Sequence, residues 1–263
     1  MPDHLEDIEG VLLDLDGTIF IGDRLVPGAA DAVSALRRAG LPIRFGTNIT
    51  RTPREDLVQR LQEMGLDLAS EEVLTAPLVA ASWLEKKGLW NVLLCLPEGT
   101  RADFSHFTLE ETSPQAVVVG DLGSAWDFTR LNSAFQHLME GAEFVALHRL
   151  PYWDTGAGLA LDGGSFVAAL EYATNREATL IGKPSSIFFQ AAAEAMDIEP
   201  FNMAVVGDDL GTDVAGALSC DATAILVRTG KFQESDLSVR KPKPDLVLDS
   251  IASLPTALGV KFG

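Results

Sequence analysis

Two aspartates, Asp14 and Asp16, stand two residues apart in Asp14-Leu15-Asp16-Gly17-Thr18, directly after the apolar run Val11-Leu12-Leu13. In an open α/β sheet, ligands sit outside the carboxyl ends of the strands, so a polar exit from a buried strand is where chemistry is expected. Carboxylates this close repel each other, and the arrangement persists best where a cation relieves the repulsion. The bland reading is a strand exit that happens to contain two Asp. At ~5% usage per residue type, four fixed positions recur by chance in on the order of one such chain in five hundred. The chemical reading wins.

Three more polar clusters each follow an apolar run. Thr47-Asn48-Ile49-Thr50 follows residues 42–45, and Gly182-Lys183-Pro184 follows residues 178–181. Gly207-Asp208-Asp209-Leu210-Gly211-Thr212-Asp213 follows residues 203–206. Taken singly, these read as an ordinary turn, a surface lysine and a solvated acidic loop. Four clusters in order, each at the carboxyl end of a strand, read as one site.

The elements that must position these residues alternate. Residues 11–13 and 42–45 read as buried strands. Between them Ala29, Val33 and Leu36 fall at helical spacing, closed by Gly40. Leu57, Val58, Leu61 and Met64 mark a second helix, stopped by Gly65. Strand-like runs return at 178–181, 203–206, 223–227 and 246–248, with a helix over 185–196. Strands alternating with helices imply parallel βαβ units. The expected fold is therefore α/β, a doubly wound parallel-sheet core. Residues 77–177 carry strand candidates (92–96, 116–119, 144–147) and helix candidates (78–87, 126–140, 166–173) of their own. They are expected to form an inserted α/β domain, leaving 1–76 and 178–263 as the two parts of the core.

The four clusters together resemble the haloacid dehalogenase superfamily of phosphoryl-transfer enzymes, whose pattern is Asp-x-Asp-Gly-Thr, a Ser or Thr, a Lys and an acidic pair. Spacing points to a branch. Asp16 and Thr47 are 31 positions apart, too few for a domain, whereas Thr50 and Lys183 are 133 apart. The insertion thus lies between the second and third clusters, as in the members with a large αβ cap. The resemblance implies an Mg²⁺-dependent phosphatase acting on a small phosphorylated metabolite, a phosphomonoester or else a phosphoramidate or pyrophosphate. It makes Asp14 the nucleophile and Asp16 the acid/base. Thr47, Asn48, Ile49 and Lys183 bind the phosphoryl group, and Mg²⁺ is held by Asp14, the Asp16 carbonyl and Asp208, with Asp209 or Asp213 acting through water. Many members carry Asn or Ser where this chain has Ile49, so that position is expected to contribute only its backbone N–H. A non-catalytic phosphometabolite-binding protein or a phosphomutase on the same fold are the alternatives.

His148, Arg149, Tyr152, Trp153 and Asp154 are the specificity candidates of the inserted domain. Tyr152 and Trp153 either stack on a substrate or fill that domain's core. The four histidines (His4, His106, His137, His148) show no ligand spacing and read as surface or cap positions. Gly156-Ala157-Gly158 and Gly163-Gly164 read as turns, since they do not link a strand to a helix as a dinucleotide fingerprint must.

Composition narrows the partners. Against 38 Asp and Glu stand 20 Lys and Arg, a net charge of −18. This disfavours nucleic acid, whose phosphates need a basic patch. Cys95 and Cys220 make no disulfide framework, no apolar run approaches membrane-spanning length, and the acidic start is unlike a signal peptide. The expectation is a cytoplasmic monomer or homodimer that contacts no membrane.

Overall fold

The computed structural model describes Leu5, residues 7–239 and residues 242–260. Contacts divide the chain into two compact units, one comprising Met1–Thr47, Glu55–Leu74 and Lys183–Gly263, the other Asn48–Arg54 and Thr75–Gly182.

In chain order come β1 (Gly10–Asp14), the hairpin β2 (Phe20–Ile21) and β3 (Arg24–Leu25), α1 (Ala29–Arg38), β4 (Ile43–Thr47), α2 (Arg54–Glu63) and β5 (Val73–Thr75). Next are α3 (Ala76–Lys86), β6 (Asn91–Cys95), β7 (Thr108–Leu109), β8 (Ala116–Val119), α4 (Phe128–Met139) and β9 (Glu143–Ala146). The hairpin β10 (Tyr152–Asp154) and β11 (Leu159–Leu161), α5 (Gly163–Thr174) and β12 (Thr179–Leu180) follow. The chain then runs through α6 (Ser186–Met196), β13 (Met203–Gly207), α7 (Ala215–Leu218), β14 (Thr223–Val227) and β15 (Leu246–Leu248).

The first unit is built on a six-stranded sheet of order β15-β14-β13-β1-β4-β5. The pairs β1–β13, β1–β4, β13–β14 and β14–β15 are parallel. Strands β1, β13 and β14 are buried along their whole length, which suits near-continuous apolar runs covered on both faces. Helix α1 buries Ala29, Ala32, Val33 and Leu36, and α6 buries Phe188 and Phe189, whose rings meet edge to face at 5.9 Å. The Ser185 hydroxyl starts α6 by accepting the Ile187 N–H at 3.3 Å. Because β1 pairs with β4 on one side and β13 on the other, the chain reverses its direction of travel across the sheet at β1. That is where an open sheet forms a crevice. Asp14 lies in register with Gly46, and Leu13 with Val206. The carboxyl ends of β1, β4 and β13 therefore lie side by side.

The second unit has a five-stranded parallel sheet of order β12-β9-β8-β6-β7. Its core joins Val117, Val119, Phe144 and Ala146 of the sheet to Ala134 and Leu138 of α4 and to Val167 and Leu170 of α5. Two expectations are corrected here. The strand-like run at 178–181 forms, but as β12 it pairs with β9 rather than joining the sheet that carries Asp14. Gly163 and Gly164 are not a turn. They open α5 behind its cap Asp162, where any Cβ on Gly164 would come within 2.3 Å of the Arg149 backbone.

Candidate active site

Asp14 ends β1 as a buried carboxylate because its strand lies in the middle of the sheet. Lys183 is buried against it. Its ammonium donates to Asp14 Oδ1 at 2.5 Å, to Asp213 Oδ1 at 2.7 Å and to the Gly46 carbonyl at 3.3 Å. Asp208, one residue past β13, is also buried. Carboxylate oxygens of Asp14, Asp208 and Asp213 all lie within 4.8 Å of one another. Thr47, the last residue of β4, is buried beside Gly46 in sequence. Asp16 differs from Asp14 in being exposed. Asn48 and Ile49 group with the second unit. There the Asn48 side-chain oxygen lies against the Gly182 backbone, at 2.5 Å from where a Cβ would stand.

The loop geometry explains the sequence around these groups. Gly17 has φ +94, and a Cβ there would fall 2.0 Å from Asp208 Oδ2. Only glycine lets the first motif pass so close to the acidic loop. A Cβ on Gly207 would fall 2.2 Å from the Asp213 carboxyl carbon, so Gly207 admits Asp213 to the site. Asp209 instead caps the turn of Leu210–Val214, accepting from the N–H groups of Gly211 (2.7 Å) and Thr212 (3.2 Å).

Charge is unmatched at this centre. Three carboxylates gather here; Lys183 pairs with Asp14 and Asp213, and the Lys231 charge bears more weakly on Asp208, so negative charge is in excess. Burial, and then the Asp14 charge, push the Asp208 carboxyl up to about 7. Burial also raises Asp213, with Lys183 opposing. For Lys183, burial alone would lower the pKa, but Asp14 and Asp213 outweigh it and hold the ammonium above its ordinary value. Among the described residues, Asp14 Oδ2 is buried with no hydrogen-bond partner. A buried carboxylate oxygen without a partner is costly, and a divalent cation would both fill that position and cancel the excess. The all-oxygen donor set fits a hard cation such as Mg²⁺. Asp213 commits Oδ1 to Lys183, and its Oδ2 accepts the Asp209 N–H at 3.3 Å. Each of its oxygens thus already has a partner, unlike Asp14 Oδ2.

Three contributors escaped the sequence reading. Thr229 Oγ1 donates to the Gly17 carbonyl at 2.5 Å, and the Lys231 N–H donates to Asp208 Oδ2 at 2.6 Å. A Cβ on Gly230, between them, would fall 2.0 Å from Asp208 Oδ2. The available signal was the Thr-Gly pair just past the apolar run 223–227, another polar strand exit.

Of the specificity candidates, Tyr152 and Trp153 are 57% and 37% exposed, so they do not fill a core. The Arg51 guanidinium sits 3.7 Å from the Trp153 ring centre. Arg149 pairs with Glu171 at 2.7 Å. His148 is buried in the second unit, so of the surface and cap positions expected for the histidines it does not take the first. His4 and the Asp154 side chain lie outside the described residues.

Comparison with known proteins settles the family. A family described as haloacid dehalogenase-like hydrolase matches residues 11–110, and one described as HAD-hydrolase-like matches residues 180–254. Human haloacid dehalogenase-like hydrolase domain-containing protein 2 is 39% identical over 92% of this chain and 93% of its own. The chain belongs to the haloacid dehalogenase-like hydrolases. Human phospholysine phosphohistidine inorganic pyrophosphate phosphatase is 36% identical over 95% of this chain and 93% of its own. Among solved structures, a glycerol phosphate phosphatase from Mycobacterium tuberculosis, in complex with magnesium, superposes with a TM-score of 0.86 at 28% identity. It covers 97% of this chain and 78% of the other. No helix among the described residues is long and apolar enough to cross a membrane.

Proposed function

We propose that this chain, a phosphatase of that family, uses Mg²⁺ to hydrolyse a small phosphorylated metabolite through an aspartyl-phosphate. The observation that carries the reading is the buried Asp14, Asp208 and Asp213 set around Lys183, with an excess of negative charge and an unpartnered Asp14 oxygen. Asp14, Asp208 and the Asp16 carbonyl would hold the cation. When bound, Mg²⁺ supplies positive charge for the phosphoryl oxygens and offsets the repulsion among the carboxylates.

An oxygen of Asp14 attacks phosphorus, and the bond from phosphorus to the leaving oxygen breaks. Asp16 gives that oxygen a proton. Water then attacks phosphorus and loses a proton to Asp16, while the bond to Asp14 breaks to release inorganic phosphate. Asp16 is suited to both proton steps because it is exposed beside a buried nucleophile. Lys183 spreads the charge of the transferring group. Thr47 and the next two residues of the chain, Asn48 and Ile49, donate to phosphoryl oxygens, Ile49 through its backbone N–H alone. The same reading makes the second unit an inserted αβ cap, and makes a phosphoramidate or pyrophosphate a possible substrate beside phosphomonoesters. It places the protein in the cytoplasm as a monomer or homodimer.

The test is p-nitrophenyl phosphate turnover by purified protein. Turnover should require Mg²⁺, stop with chelator, and fall by at least about a thousandfold in Asp14→Asn. A folded protein that turns over neither this compound nor any of a panel of phosphometabolites would overturn the reading.

A further inference from the structure

A second buried polar cluster lies in the other unit, and the mechanism above does not use it. Thr50, Asp121, His148 and Asp162 are all buried there. Thr50 Oγ1 accepts the Asp121 N–H at 3.2 Å and faces His148 Nε2 at 3.3 Å. His148 Nδ1 accepts the Leu150 N–H at 3.3 Å, so the ring proton sits on Nε2. From there it points at Thr50 Oγ1 and at Asp162 Oδ1, which is 3.5 Å away. Asp162 is itself fixed, because it caps α5 by accepting the Gly163 N–H at 2.7 Å. Asp121 pairs with Arg51, the residue after Thr50.

Glycines let the chain pack closely around this cluster. A Cβ on Gly120 would stand 2.5 Å from the Leu96 side chain, and one on Gly163 would stand 2.7 Å from the Gly120 backbone. Burial keeps the imidazole below its ordinary pKa and so neutral; Asp162 opposes this, while Arg51 acts with burial. A neutral ring with one donor and one acceptor fits the two roles it fills.

We infer that His148 is a positioning residue for the second motif. Held by Asp162 and Leu150, it fixes the conformation of residues 48–50 through the Thr50 hydroxyl. The inference rests on the reading that this segment donates to the phosphoryl group, and it would explain how the motif tolerates Ile49. Its conformation is set by the next residue, Thr50, so the backbone N–H can be aimed without a polar side chain at 49.

The experiment compares the unaltered chain with His148→Ala, His148→Gln and Thr50→Val by three measurements: hydrogen exchange of peptides spanning residues 47–54, calorimetric binding of inorganic phosphate with Mg²⁺ present, and p-nitrophenyl phosphate kinetics. His148→Ala and Thr50→Val should speed exchange in that segment. They should also weaken phosphate binding and raise KM by about tenfold, as the loss of one aligned hydrogen bond predicts, with kcat changed less. His148→Gln keeps a donor and should recover most of the loss. Unchanged exchange in His148→Ala would overturn the inference. So would a lowered Tm with phosphate affinity intact, which is what a merely structural histidine gives. Absence of turnover in the unaltered chain would instead sink the phosphatase reading, leaving exchange and phosphate binding to decide this one.

Discussion

Two buried polar clusters, one in each unit, use similar residue types and end up in opposite states. In the first unit, the Lys183 ammonium pairs with Asp14 and Asp213, Asp208 accepts the Lys231 N–H, and one Asp14 oxygen has no partner. In the second, Asp121 is matched by Arg51, Asp162 by a helix N–H and a histidine, and Thr50 by two donors. Satisfied groups rigidify a fold, whereas an unmatched set of charges is unstable until something binds. On the proposed function, the contrast separates a place built to react from a place built to hold.

The first way to break that contrast is Asp16→Asn. It should lower kcat by about 10²–10⁴-fold while leaving Mg²⁺ affinity largely intact, because the expected ligand there is a carbonyl. Calorimetry with steady-state kinetics checks both halves, and an unchanged rate would remove Asp16 from proton transfer.

Lys183→Met removes the ammonium that pairs with both Asp14 and Asp213. Breaking a buried pair costs about 3–5 kcal/mol, and a cation that binds only the folded state should recover part of this. Thermal unfolding with and without Mg²⁺ should show a lower Tm and a larger Mg²⁺-induced rise than in the unaltered protein. An equal rise in both would mean that the ammonium and the cation do not answer the same charge.

Gly230→Ala has the smallest expected effect on binding. Its methyl group would overlap Asp208 Oδ2 and stand 2.5 Å from Gly17 Cα, at a φ of +64, so the carboxylate and the loop behind it must shift. Metal affinity should weaken by about 10–100-fold, as for other changes behind a ligand. A metal titration reads this directly, and unaltered affinity would argue that Asp208 is not a ligand.

Most of the first unit was legible in the sequence for a simple reason. Strands β1 and β13 are fully buried and β4 nearly so, so each reads as an apolar run with a motif at its polar exit. Asp14, Thr47 and Asp208 stand out on that basis, once the four clusters are read together. The run at 178–181 shows the limit. Its composition declares a strand but not a partner, because pairing depends on which edge the folded chain offers, and it joined β9.

The rest belongs to tertiary structure. By itself the sequence determined the alternation of strands and helices, the order of the four motifs and the excess of acid, since these are local or additive properties of the chain. It could not determine that Asp213 would turn in to meet Lys183 while Asp209 capped a helical turn, for the two differ by position in space and not by type. Nor could it reveal that His148 lies buried against Thr50, 98 residues earlier. Contacts between residues so far apart are chosen by packing, and only the folded chain brings them within reach.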